Sequence, residues 1–164
     1  MPSQPKDLNH LFHETLKDIY FAEKQILRAL PKLARKANSR QLSQAFEQHR
    51  TETEGQIERL EKVFEILGKT PRGKTCDAII GIIDEGKEVM EDFADSEALD
   101  AGLLASAQAV EHYEISRYGT LISWAEQLGL ADAVPLLQET LAEEKRTDVL
   151  LTKLADVSVN AKAA

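Results

Sequence analysis

Seven residues of this 164-residue chain have the types and spacing to bind metal together: Glu23, His49, Glu52, Glu111, Glu114, Glu144 and Asp148. Each falls on an apolar helical stripe, where charge is least expected. Glu23 interrupts Leu16, Ile19, Ile26 and Leu30, whose three- and four-residue steps trace one helix face. Between Phe46 and Leu60 the same steps land on His49, on Glu52 or Thr53, and on Gln56. Glu111 and Glu114 lie between Ala107 and Leu121, three residues apart and so on neighbouring turns of one face. Glu144 and Asp148 lie between Leu141 and Leu151. An acidic residue on a helix is most often simply solvated. Four mid-helix coincidences are harder to dismiss, because buried unpaired carboxylates are costly and no lysine or arginine falls at a matching inner position.

A shared cation resolves all four anomalies, since neighbouring carboxylates raise each other's pKa unless a positive charge lies between them. Oxygen-dominated ligation favours iron or manganese over copper or zinc. Two such ions bridged by carboxylates would lie ~3.5–4 Å apart, and six carboxylates match two trivalent ions in formal charge. Bundle di-iron sites take a Glu from each of two helices and a Glu-x-x-His pair from each of the other two. This chain departs from that formula. Gly55 follows Glu52 by three residues and Thr147 follows Glu144, so no Glu-x-x-His occurs; Asp148 stands where a histidine would. His112 lies about 100° around its helix from Glu111 and reads as a surface or subunit-contact residue. His10 and His13 form a His-x-x-His without a third convergent ligand. Tyr20, Tyr113 and Tyr118 flank the proposed ligands and read as core packing, with a hydrogen bond to a ligand as the alternative.

The elements that must position these residues are helices. Apolar steps from Asp7 predict a first helix to about Lys36, with a kink or early end possible at Pro31. Asn38 and Ser39 offer caps for a second helix ending before Gly68, and the two form an antiparallel hairpin. Two glycines and a proline within Gly68–Gly73 mark the clearest break. A shorter helix follows from Cys76 to about Phe93; Ala94, Asp95 and Ser96 then cap a long one reaching Gly129. The last helix tolerates Pro135 in its first turns, and Val157–Ala164 reads as a frayed tail. The expected fold is all-α: one ferritin-like four-helix-bundle domain over 1–164, with an additional short helix in the crossover.

Composition excludes several functions. A formal charge of −8 has the wrong sign for gripping nucleic acid through phosphates. A single cysteine, Cys76, allows no internal disulfide. No apolar run approaches the ~20 residues that span a membrane, and the N-terminus lacks signal-peptide order, so the cytoplasm is the default expectation.

Long ordered motifs carry a resemblance over nearly the whole chain. Tyr20-Phe21-Ala22-Glu23-Lys24-Gln25, Leu42-Ser43-Gln44-Ala45-Phe46, Gly55-Gln56-Ile57-Glu58-Arg59, Val110-Glu111-His112-Tyr113-Glu114 and Glu139-Thr140-Leu141-Ala142-Glu143-Glu144-Lys145 closely resemble the YciE/YciF family. That resemblance implies a ferritin-like bundle of the bacterial stress response, a homodimer and a di-metal site. Glu111-x-x-Glu114 also resembles a rubrerythrin pair, and Glu111 and Glu144 keep the 33-residue separation common in such sites. Glu23 and Glu52 are 29 apart, which leaves the register of the second helix open. The expected function is redox chemistry toward peroxide or dioxygen at two iron or manganese ions. The alternative is a non-catalytic dimeric helical scaffold with structural metal or none.

Overall fold

Residues 4–164 are described by the structure, a computed structural model, and among them there are helices and turns but no strand. In chain order the helices are α1 (Leu8–Lys36), α2 (Arg40–Ile66), α3 (Asp77–Asp92), α4 (Leu99–Gln127) and α5 (Ala133–Leu154), then a π-helical turn (Ala155–Val159) and α6 (Asn160–Ala163). Short turns fold α1 against α2 and α4 against α5 as hairpins. The hairpins pack with α2 beside α5 and α1 beside α4, while α3 lies in the crossover against α4 and α1. This is the expected ferritin-like plan.

Each boundary has a local cause. Asp7 caps α1 by accepting from the His10 amide at 3.0 Å, and His10 Nδ1 accepts from the Asp7 amide at 3.3 Å. His10 is thereby employed as a cap, and His13 packs edge-on against Phe64, which accounts for the His-x-x-His without a metal. The helix continues through Pro31 without ending there. Ser39 caps α2 by accepting from the Leu42 amide, and Cys76 Sγ does the same for Ile79 at the start of α3. The expected cap of α4 is corrected: Ala98 precedes its first residue without a side-chain bond, and Ser96 accepts from the Ala98 amide in the turn before.

Gly68 and Gly129 end α2 and α4 with φ of 65° and 70°. Behind each, the next amide reaches back five residues, Lys69 to the Phe64 carbonyl and Leu130 to that of Ala125, both at 2.9 Å. The last residues, expected to fray, are helical instead. Leu151, Ala155 and Val159 are buried at four-residue steps, and the wider π turn brings such a spacing onto one face against α4.

The core fills the bundle on both sides of its midpoint. Phe12, Leu16, Phe64 and Leu60 lie toward one end and Leu30, Leu42, Leu103 and Leu104 toward the other. A Cβ added at Gly102 would collide with Val89, so the close approach of α3 to α4 depends on that glycine. Gly129→Ala should destabilise the chain by about 1–2 kcal/mol, because a Cβ is strained at positive φ. Gly119 lies mid-helix with nothing within 4 Å of an added Cβ, so Gly119→Ala should stabilise by about 0.5–1 kcal/mol. Paired thermal melts check the opposite signs; equal shifts in one direction would refute this account of the turn.

Candidate metal centre

Midway along the bundle the apolar stripes give way to acids. Glu23 on α1, Glu111 and Glu114 on α4 and Glu144 on α5 are wholly buried, and His49 on α2 is 2% exposed. Each projects inward because apolar neighbours a turn away fix its helix face: Ile19 and Ile26 beside Glu23, Phe46 below His49, Ala107 and Tyr118 beside the α4 pair. One ligand atom from each of His49, Glu111, Glu114 and Glu144 lies within 4.8 Å of the other three. Glu23 neighbours Glu114 at the edge of this group.

None of those four side chains is satisfied by a hydrogen bond. Both nitrogens of His49 and all six carboxylate oxygens of Glu111, Glu114 and Glu144 lack a well-aligned partner. His49 Nδ1 is 3.0 Å from Glu111 Oε1 and Nε2 is 3.8 Å from Glu144 Oε2, contacts close enough for attraction but without hydrogen-bond alignment. Asp100 shows how this fold treats a structural carboxylate: it is also buried, yet it accepts from the amides of Asn38 and Ser39 at 2.7 and 2.6 Å. Unshared lone pairs converging on a point could hold a cation, and the mixed N/O donor set fits a first-row divalent ion.

The other expected ligands are placed elsewhere. Glu52 is half-buried and accepts from Gln48 and, at 3.2 Å, from Thr147 Oγ1. Asp148 accepts from Gln108 at 3.2 Å and contacts exposed His112 Nε2 at 3.1 Å. In the ambiguous middle of α2 the innermost residues are His49, Thr53 and Gln56. Gln56, unassigned by sequence reasoning, is fully buried with no donor to its Oε1. A signal for it existed: it follows Glu23 by 33 residues, as Glu144 follows Glu111. Arg59 is also mostly buried. Its Nε donates to Thr140 Oγ1 at 2.9 Å and its guanidinium pairs with Glu143 and Glu139, so a cation does reach the inner region. Among the tyrosines, Tyr118 donates to Glu23 Oε1 at 2.6 Å; Tyr20 donates to Glu61 and Tyr113 to Asp18.

An apolar cavity of about 300 Å³ reaches the cluster at His49. Ile26, Leu30, Ile83, Met90 and Ala107 are in its wall, which includes Arg28, Lys32 and Lys87 but no carboxylate. In a chain of net charge −8 that absence leaves a locally basic, largely greasy passage.

Burial governs the acid–base behaviour. It pushes Glu23 up to about 8, against the hydrogen bond from Tyr118, and lifts Glu111 and Glu114 well above the usual carboxylate range. It pulls His49 down, favouring neutral imidazole. Acids whose pKa rises on folding bind protons more tightly in the native state, so their contribution is complete below the ordinary value of 4.5 and is lost as pH climbs toward about 8. His49 acts in the opposite sense, losing its contribution as pH falls below its ordinary 6.5. Three acids outweigh one imidazole. Metal-stripped protein should therefore melt at progressively lower temperature from about pH 4.5 to about pH 8, and saturating divalent metal should flatten that slope. A flat profile without metal would contradict the burial of these acids.

Residues 7–164 match the family described as a domain of unknown function, DUF892. The chain is 52% identical over 160 residues to protein YciF of Escherichia coli (strain K12), covering 96% of each. The crystal structure of the E. coli stress protein YciF superposes with a TM-score of 0.90 at 50% identity, covering 95% of this chain and 99% of that one. YcfI of Rhodopseudomonas palustris, for which a structural role has been suggested, matches with a TM-score of 0.88 at 48% identity, covering 93% and 97%. A protein of Xanthomonas campestris pv. campestris shares the fold alone, at 19% identity and a TM-score of 0.74 over 94% of each chain. The chain therefore belongs to the YciF-like family, DUF892.

Proposed function

We propose that this chain is a metal-binding carboxylate protein of the bacterial stress response, holding iron or manganese at the mid-bundle cluster and acting on peroxide or dioxygen. One observation carries the reading: the buried imidazole and six buried carboxylate oxygens of His49, Glu111, Glu114 and Glu144 have no hydrogen-bond donor, where Asp100 has two. Without a cation these acids can stay buried at neutral pH only by holding protons, as the raised values of Glu111 and Glu114 record. The stress-response part rests on the likeness to YciF. Assembly as a homodimer is carried over from the family resemblance of the sequence motifs, and residence in the cytoplasm from the sequence expectation; no helix among the described residues is long and apolar enough to cross a membrane.

The chain's own groups have distinct tasks in this proposal. His49, kept neutral by burial, offers a nitrogen lone pair, and Glu111, Glu114 and Glu144 offer anionic oxygens. Glu52 and Asp148 would have to release Thr147, Gln108 and His112 to join them. Tyr118 orients Glu23 through its hydroxyl. The apolar cavity wall excludes bulk water and admits small uncharged molecules such as dioxygen or hydrogen peroxide to the His49 side. A bound iron or manganese ion supplies the electron-transfer chemistry that no side chain here provides.

Elemental analysis of protein purified without added metal should find iron or manganese, and Glu111→Ala should lose most of it while keeping its helical content. Metal-free protein that cannot be loaded anaerobically would defeat the proposal and favour the scaffold. Ala29 lines the cavity and is only half-buried. Ala29→Phe should retain the metal but slow oxidation of ferrous-loaded protein by peroxide about tenfold; an unchanged rate would place the oxidant's path elsewhere.

A further inference from the structure

The two halves of the bundle are not equivalent around the cluster. The α4–α5 hairpin contributes Glu111, Glu114 and Glu144. At the corresponding 33-residue separation the α1–α2 hairpin contributes Glu23 and Gln56, an acid and a neutral amide. Three residues after Gln56, where a Glu-x-x-His site would place its histidine, stands Arg59. Three residues after Glu144 stands Thr147, turned to Glu52. The one imidazole of the cluster is His49, two turns before Gln56, and it faces Glu111 and Glu144 rather than the α1 side.

We propose that the centre takes one metal ion, held by His49, Glu111, Glu114 and Glu144, and that Arg59 and Gln56 occupy the part of the bundle where a paired site would hold its second. The inference rests on the metal-binding reading above and replaces the two-ion expectation. A second ion would find one carboxylate, Glu23, already bonded to Tyr118. It would also find an amide in place of an anion, and a guanidinium fixed nearby by Glu143, Glu139 and Thr140. Gln56 itself is drawn into that network, its Nε2 lying 3.4 Å from Glu143 Oε1. Glu143 and Glu139 are taken up by that guanidinium and the amide adds no charge, so no free carboxylate beyond Glu23 faces a divalent ion there. The first position has the reverse character, with three carboxylates around a neutral imidazole.

The test loads the full-length chain anaerobically with Mn²⁺, removes unbound metal, and measures manganese per chain together with the electron paramagnetic resonance spectrum. One ion with the hyperfine pattern of isolated Mn²⁺ supports the proposal. Two ions with a spin-coupled spectrum overturn it while leaving the metal-binding reading intact; no retained ion overturns both. Glu23→Gln, which removes only a neighbour of Glu114, should weaken Mn²⁺ binding by no more than about tenfold, whereas Glu111→Gln should weaken it by well over about a hundredfold. Equal losses would return Glu23 to the ligand set and overturn the asymmetry. The double substitution Gln56→Glu/Arg59→His should raise the retained manganese toward two. If the folded double variant still binds one, Gln56 and Arg59 are not what excludes the second ion.

Discussion

Burying several acids at one point is the constraint around which this bundle is built. Glu23, Glu111, Glu114 and Glu144 meet in a region from which water is excluded, and only Glu23 receives a hydroxyl from a neighbouring side chain. Large apolar side chains above and below hold the backbone in place, so the acids cannot relax outward without opening the core. The packing energy of a long helical bundle is thus set against local electrostatic strain. Ligand sites commonly draw on this balance, because a cation satisfies in the folded state what folding alone leaves unsatisfied.

Much of this was readable from residue order. The stripe that predicts α1 as a helix also shows Glu23 to be out of place, and the same logic finds His49, Glu111, Glu114 and Glu144. On α2, sequence reasoning met a genuine degeneracy. Steps of three and four residues both continue a helical face, so Glu52, Thr53 and Gln56 competed until packing against α5 settled Thr53 and Gln56 inward. Acidity drew the choice to Glu52, although the 33-residue separation pointed to Gln56. Asp148 lies apart from the cluster for a similar reason, since it is a turn beyond Glu144 but rotated toward α4, where Gln108 and His112 meet it. The C-terminal segment was misread because four-residue spacing fits a π turn better than the 3.6-residue template.

Arg59 shows why a census of inner positions is not enough. Its Cα belongs to the flank of α2, yet a long side chain carries the charge across to Thr140 and Glu143. Side-chain reach is weakly encoded in periodicity, which records where a residue starts and not where its functional atoms end. Asp100 makes a related point. It lies at the start of α4, where the crossover arrives, but its oxygens serve the turn between α1 and α2, tying the two hairpins together at that end of the bundle.

The division of the cluster between hairpins also bears on the order of folding. Contacts within α1–α2 and within α4–α5 join segments close in sequence and carry a small loop-closure cost, so each hairpin can form early. One hairpin carries Glu23 and His49; the other carries Glu111, Glu114 and Glu144. Their docking is the event that dehydrates the acids, and charge neutralisation must accompany that step. Proton uptake can provide it up to about pH 8, and a cation can provide it in exchange for those protons. The rate-limiting barrier to the native state would then be sensitive to ionic conditions even though each hairpin, taken alone, is an ordinary amphipathic pair.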